Sequence, residues 1–177
     1  METTNIAFAM YCIFAVSAIG CLIITFFTSG SAAWGSQIAG YCVFAIAMIM
    51  LFANVVVNSS NGDASTTPTN KFYIFGIGFY LLIMFATIGC KLYGLFAYKD
   101  RIISNGQYYS YFNIPILGLI VLQFFLLFKF FSQKSLLNAV VLSFLCLLGL
   151  LNLIATIIDF NVLSYYYADG FCSVSHT

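Results

Sequence analysis

The chain has 177 residues, of which 63% are apolar and only 6% charged, with six Lys or Arg against five Asp or Glu and a formal net charge of +1. A soluble domain averages roughly 45–50% apolar and about 25% charged, so this chain has too few charged groups to cover a folded surface in water. That excludes an ordinary soluble domain, a disordered tail and a basic nucleic-acid binder, and leaves an integral membrane protein whose first partner is the lipid bilayer.

A helix needs about 20 apolar residues to cross roughly 30 Å of hydrocarbon. Residues 3–62 carry no charged side chain at all, and the small, polar stretch 28–37 divides them into two predicted spans, about 6–27 and 38–57. Residues 58–70, rich in Asn, Ser and Thr with Gly62 and Pro68, read as a loop. A third span runs over about 72–98 and ends at Lys99, Asp100 and Arg101, followed by a polar, Tyr-rich connection to Asn113. The fourth covers about 114–131, with Pro115 acceptable in its first turn. Only residues 132–135 separate it from the fifth, about 136–158, so the last two spans form a tight antiparallel helical hairpin. The continuous apolar runs, as in 147–154, lack the alternation of a transmembrane β-strand. The expected fold is therefore a single all-α transmembrane domain over 1–177 with about five transmembrane helices, or four if a shorter span is re-entrant.

The N-terminal Met1-Glu2-Thr3-Thr4-Asn5 lacks the positive region of a secretory signal, so the first apolar run is expected to stay as a membrane helix. Five spans put the termini on opposite sides, here face A for the N-terminus and face B for the C-terminus. Lys71, Lys129 and Lys134 fall on face A, and Lys91, Lys99 and Arg101 on face B. This is a tie under the positive-inside rule. The aromatic residues are less even: Tyr93, Tyr98, Tyr108, Tyr109, Tyr111, Tyr165, Tyr166 and Tyr167, with Trp34, all map to face B. An interfacial aromatic belt accounts for them, and so does a protein-docking face, since Tyr is enriched at interfaces.

Constellations for catalysis or metal binding are missing. Cys12, Cys21, Cys42, Cys90 and Cys146 lie in apolar runs and Cys172 in the tail, without a C-x-x-C pair. The single histidine, His176, is the penultimate residue, and no zinc-protease or phosphate-loop motif occurs. The expectation is a protein that is not an enzyme and needs no cofactor. Asn58-Ser59-Ser60 matches a glycosylation sequon, but its closeness to the apolar Val57 marks it as a chance match.

Polar groups inside spans carry a cost and invite a functional hypothesis. Asn54, Lys91, Gln123, Asn138, Asn152, Thr156 and Asp159 are the candidates. Asn152, Thr156 and Asp159 share one face of the fifth helix, where they line an ion path or bond to neighbouring helices. Lys91 and Asp159 come out at the same depth near face B at 1.5 Å per residue. They form an ion pair there if the third and fifth helices are neighbours; otherwise each is solvated separately, Lys91 by snorkelling. Ala86, Cys90 and Gly94, and likewise Ser36 and Gly40, are spaced for close helix packing.

The C-terminal half has a further pattern. Lys99-Asp100-Arg101-Ile102 ends a long helix, and a Gly-containing loop with Tyr108-Tyr109 leads to Asn113-Ile114. There follow an apolar helix holding Gln123, a short basic turn, and a last helix with Leu148-Gly149-Leu150-Leu151-Asn152 that runs into Ala168-Asp169-Gly170-Phe171. Over about 72–171 this resembles the small multi-pass virion membrane proteins of nucleocytoplasmic large DNA viruses, whose last helix commonly ends in Thr-Asp-Gly-Phe; Ala168 departs from that pattern. The resemblance implies a protein of the internal virion membrane beneath an icosahedral capsid, present in host endomembranes during assembly, with no catalytic residues to carry over. Its partners would be capsid or minor capsid proteins. The docking face would comprise Tyr108, Tyr109, Tyr111, Tyr165, Tyr166 and Tyr167 with Asp169, Gly170 and Phe171. The alternative is a small channel of viroporin type, a homo-oligomer with Asn152, Thr156 and Asp159 along its pore. An assembly factor that stays out of the particle is a third class.

Overall fold

The computed structural model describes the backbone of residues 2–60, 68–104, 113–130 and 136–165. Side chains are described over 6–53, 75–100, 113–124 and 142–159, together with Ile103 and Val140. The elements are α1 (Glu2–Ile24), α2 (Gly30–Ser60), α3 (Pro68–Ala97), the short α4 (Lys99–Ser104), α5 (Ile114–Phe130) and α6 (Leu136–Tyr165). All are helices. Among the described residues, four stretches are long and apolar enough to cross a membrane: Ile6–Ile24, Gly30–Ala53, Phe75–Ala97 and Leu142–Asp159. The remaining apolar helix, α5, has 17 residues, about 25 Å at 1.5 Å per residue, the lower limit for a span.

Several boundaries differ from the sequence expectation, each for a local reason. Residues 28–37 separate the first two spans only as far as Ser29, because the Gly/Ser/Ala run that follows is uncharged and free of Pro and simply starts α2. The turn before it is closed by Phe26 N–H to Ile23 O at 3.1 Å and Phe27 N–H to Ile24 O at 3.0 Å. Gly30 then takes φ +66°, a left-handed conformation that only glycine adopts without a Cβ penalty. Of the expected loop 58–70, residues 58–60 belong to α2 and Pro68 opens α3, where its missing N–H costs nothing. Lys99-Asp100-Arg101, expected to lead straight into a loop, forms α4 with Asp100 in its first turn, the end at which an acidic side chain is favoured. The last helix runs to Tyr165 rather than stopping near Ile158, since Asp159 faces Lys91 and is no stop signal.

Helix directions follow from the contacts. Trp34, near the start of α2, bonds to Leu95 near the end of α3, so these two are antiparallel. A Cβ on Gly76 would meet Leu142, and one on Gly149 would meet Ile83, while Lys91 meets Asp159. The pairing advances in step, and α3 and α6 are parallel neighbours. α5 enters beside α2, with Asn113 bonded to Gln37 and Gln123 to Met48. So α1, α3 and α6 run one way and α2 and α5 the other.

Apolar side chains fill the core and also cover the outer surface, unlike in a water-soluble protein. One face of each long helix forms the core: Tyr11, Ala15, Ala18 and Leu22 on α1, Tyr41, Phe44, Met48 and Leu51 on α2, and Ile77, Tyr80, Met84 and Ile88 on α3. The i, i+3, i+4 spacing in each set is that of a single helical face. Phe75 is 72% exposed and Leu82 67%, whereas Gln123 is fully buried. Water would reverse that preference; hydrocarbon permits it. This is an all-α membrane protein.

Candidate functional site

Two clusters of buried polar side chains lie at different depths of the bundle. In the deeper one, Gln123 of α5 is the centre. The Tyr80 hydroxyl donates to its Oε1, and its Nε2 donates to the Tyr11 hydroxyl at 2.9 Å and lies 3.2 Å from the Met48 sulfur. One amide thus joins α1, α2, α3 and α5. Neutral partners suffice, so the cluster carries no charge into the bilayer.

The second cluster is near face B. The Tyr41 hydroxyl donates to Asn113 Oδ1, and Asn113 Nδ2 donates to Gln37 Oε1 at 2.9 Å. Asn113 precedes α5, where an Asn side chain can serve the helix start; here it reaches across to α2 instead. Both amides are buried, and Gln37 Nε2 has no hydrogen-bond partner. On the same side of the molecule, Lys91 Nζ lies 4.0 Å from Asp159 Oδ2, with the two side chains 11% and 27% exposed. A corner clasp completes this end. Trp34 Nε1 donates to Leu95 O at 2.7 Å, Phe96 meets the indole edge-on at 5.8 Å, and Lys99 Nζ sits 4.5 Å from the ring centroid. A cation over an indole face is attracted by the ring quadrupole.

The stripe on the last helix faces inward. Asn152 and Thr156 are buried and Asp159 is half-buried. The Thr156 hydroxyl donates to Asn152 O at 2.9 Å within its own helix, and Asn152 Nδ2 has no partner. Asn152 lines an open cleft of about 370 Å³ between α5 and α6, with Pro115, Gly118, Leu119, Leu122, Leu148, Leu151 and Ala155.

No protein-family model, curated protein or solved structure matches this chain. Its site is therefore read from its own residues.

Of the spans' polar candidates, Gln123, Lys91, Asn152, Thr156 and Asp159 are placed as above, while the side chains of Asn54 and Asn138 lie outside the described residues. So do those of the expected docking face, Tyr108, Tyr109, Tyr111, Tyr165, Tyr166 and Tyr167 with Asp169, Gly170 and Phe171. The small-residue seam on α3 needs correction. Gly94 is buried but Ala86 is exposed, because the helix turns that position outward; the close approach on α3 is at Gly76, where a Cβ would stand 2.7 Å from Leu142, while Gly40, of the Ser36 and Gly40 pair expected on α2, would bring one to 3.0 Å from Leu22. Residues with polar roles that sequence reasoning missed are Tyr11, Tyr41, Tyr80, Gln37 and Asn113. A signal existed: Tyr11, Tyr41 and Tyr80 fall well inside apolar runs, too deep for interface anchors. Among the described residues no group of three or more His, Cys, Asp or Glu could hold a metal ion.

Proposed function

We propose that this chain is a structural membrane protein with an adhesive role, tying an internal virion membrane to capsid or minor capsid proteins. The observation that carries this reading is the use of the intramembrane polar groups. Gln123 bonds to Tyr11 and Tyr80, Asn113 bonds to Tyr41 and Gln37, and Thr156 is buried with its hydroxyl bonded within α6. Such bonds hold helices together and leave the outward faces to lipid. A channel assembled from several copies would need Asn152 and Thr156 together on an outward face, and Thr156 is 2% exposed. The likeness of residues 72–171 to giant-virus membrane proteins supports the virion setting, and the Tyr-rich face B would supply the docking surface.

Quantitative mass spectrometry of purified, detergent-stripped virus particles tests this function. A fixed, high copy number retained with the shell is expected, with cross-links from capsid proteins to residues 105–113 and the C-terminal tail. Absence from the particle would overturn it. In planar bilayers the purified protein should pass no current above lipid leak. Unitary currents abolished by Asp159→Ala would replace adhesion with conduction.

A further inference from the structure

We infer that the cleft between α5 and α6 is a lipid site. It holds one acyl chain of a bilayer phospholipid, with the Asn152 amide donating to the ester carbonyl at the head of that chain.

The cleft's shape has a direction. Pro115 is the second residue of α5, and Ala155 is the lining residue of α6 farthest along toward face B, so small side chains mark the end nearer that face. Leu119, Leu122, Leu148 and Leu151 line the deeper part. A mouth with small side chains above leucine walls suits a chain that enters from the membrane surface and runs down between the helices. Its volume is about 370 Å³. At the roughly 30 Å³ that one water-sized group occupies, this holds about a dozen methylene-sized groups.

Asn152 supplies the polar contact. It is 7% exposed and lines the cleft, and its Nδ2 has no partner. An unpaired amide donor in a membrane interior is costly. Nδ2 is itself buried, so the donation requires rotation about the broad terminal torsion of Asn, which leaves the helix in place. The depth also fits. Asn152 lines the cleft together with Gly118 and Leu119, which lie about one turn below the start of α5. α5 has 17 residues, about 25 Å against a hydrocarbon thickness of about 30 Å. A short helix draws the bilayer thinner beside it, which lowers the ester carbonyls toward Asn152. Bilayer phospholipid is the one acceptor-bearing chain that such a lateral opening meets everywhere.

Gly118 provides the test, because a Cβ added there meets nothing within 4 Å. Gly118→Leu therefore fills the mouth without disturbing a neighbour. The full chain is released from phosphatidylcholine nanodiscs and weighed by native mass spectrometry. The wild type should retain one phospholipid per chain, and Gly118→Leu should retain none above the non-specific background. Given a choice between diester and diether phosphatidylcholine, the wild type should favour the diester by about threefold, the value of an average intramembrane hydrogen bond. Asn152→Leu should lose that preference. Equal lipid retention by the wild type and Gly118→Leu overturns the site. Equal retention of diester and diether lipid by the wild type overturns the role of Asn152. Disulfide-linked dimers of Gly118→Cys in membranes would seat a second copy in the cleft and overturn the lipid as occupant.

Discussion

Two buried amides, one in each half of the bundle, have opposite fates. Gln123 spends its oxygen on Tyr80 and its nitrogen on Tyr11 and Met48. Asn152 is almost as well buried, yet its Nδ2 has no partner and an open cleft lies beside it. Gln37, also toward face B, leaves its Nε2 unpartnered as well. The deeper half is sealed by its own side chains, and the half toward face B keeps spare donors. The lipid proposed for the α5–α6 cleft would give one of those spare donors, that of Asn152, its acceptor.

The widest separation between the halves comes from truncating the amides. Gln123→Ala removes a fully packed side chain and strips two buried hydroxyls of their partner. We expect a loss of about 2–5 kcal/mol by cavity formation and orphaned polar groups, read as a lower unfolding temperature in detergent. If Gln123→Ala unfolds at the wild-type temperature, the sealed half is not held by its amide. Glycine substitutions sharpen the contrast at a smaller scale. Gly40→Leu forces a side chain against Leu22, whose Cγ and Cδ2 stand 3.0 Å from the new Cβ, and should cost about 1–3 kcal/mol by overpacking. Gly118→Leu, on the open side, should stay within about 0.5 kcal/mol of wild type in lipid-free detergent. Equal losses at the two glycines would erase the distinction.

The Lys91–Asp159 pair gives an intermediate case. Lys91→Met, Asp159→Asn and the double variant form a thermodynamic cycle, and a coupling of about 0.5–1 kcal/mol is expected for a pair 4.0 Å apart. Strict additivity would mean that each charge is solvated independently. The smallest effect belongs to Asn152→Leu. It removes a donor that has no partner in the protein, so stability in lipid-free detergent should change by less than about 0.5 kcal/mol. A loss comparable with that of Gln123→Ala would show that Asn152 is bonded within the chain.

The helices were legible because hydrocarbon demands long apolar runs, and 3–62 and 72–98 can be little else. Their limits were less so. Residues 30–37 read as a divider because they are small and polar, but within a helix small uncharged residues are compatible with a membrane, and only the Thr28–Gly30 elbow breaks the chain. The matching depth of Lys91 and Asp159 was legible from the rise per residue; that α3 and α6 adjoin was not, since adjacency of helices distant in sequence depends on tertiary packing. Tyr11, Tyr41 and Tyr80 were hidden by a general rule. Tyrosine marks interfaces in most membrane proteins, and only a buried amide opposite each hydroxyl turns it into an interior residue. Asn113 was read as the end of a connection, whereas it is the link between α2 and the start of α5.

The clasp at Trp34 has one more consequence. This chain has a single tryptophan, and its indole N–H is tied to Leu95 O, its edge is met by Phe96 and its face is covered by the Lys99 ammonium. The protein therefore carries one indole fluorophore, excitable at wavelengths its tyrosines do not absorb and seated where α2, α3 and α4 converge. Its emission colour and its lifetime report on that junction alone, so any event that pulls the junction apart at face B can be followed optically, without attaching a label.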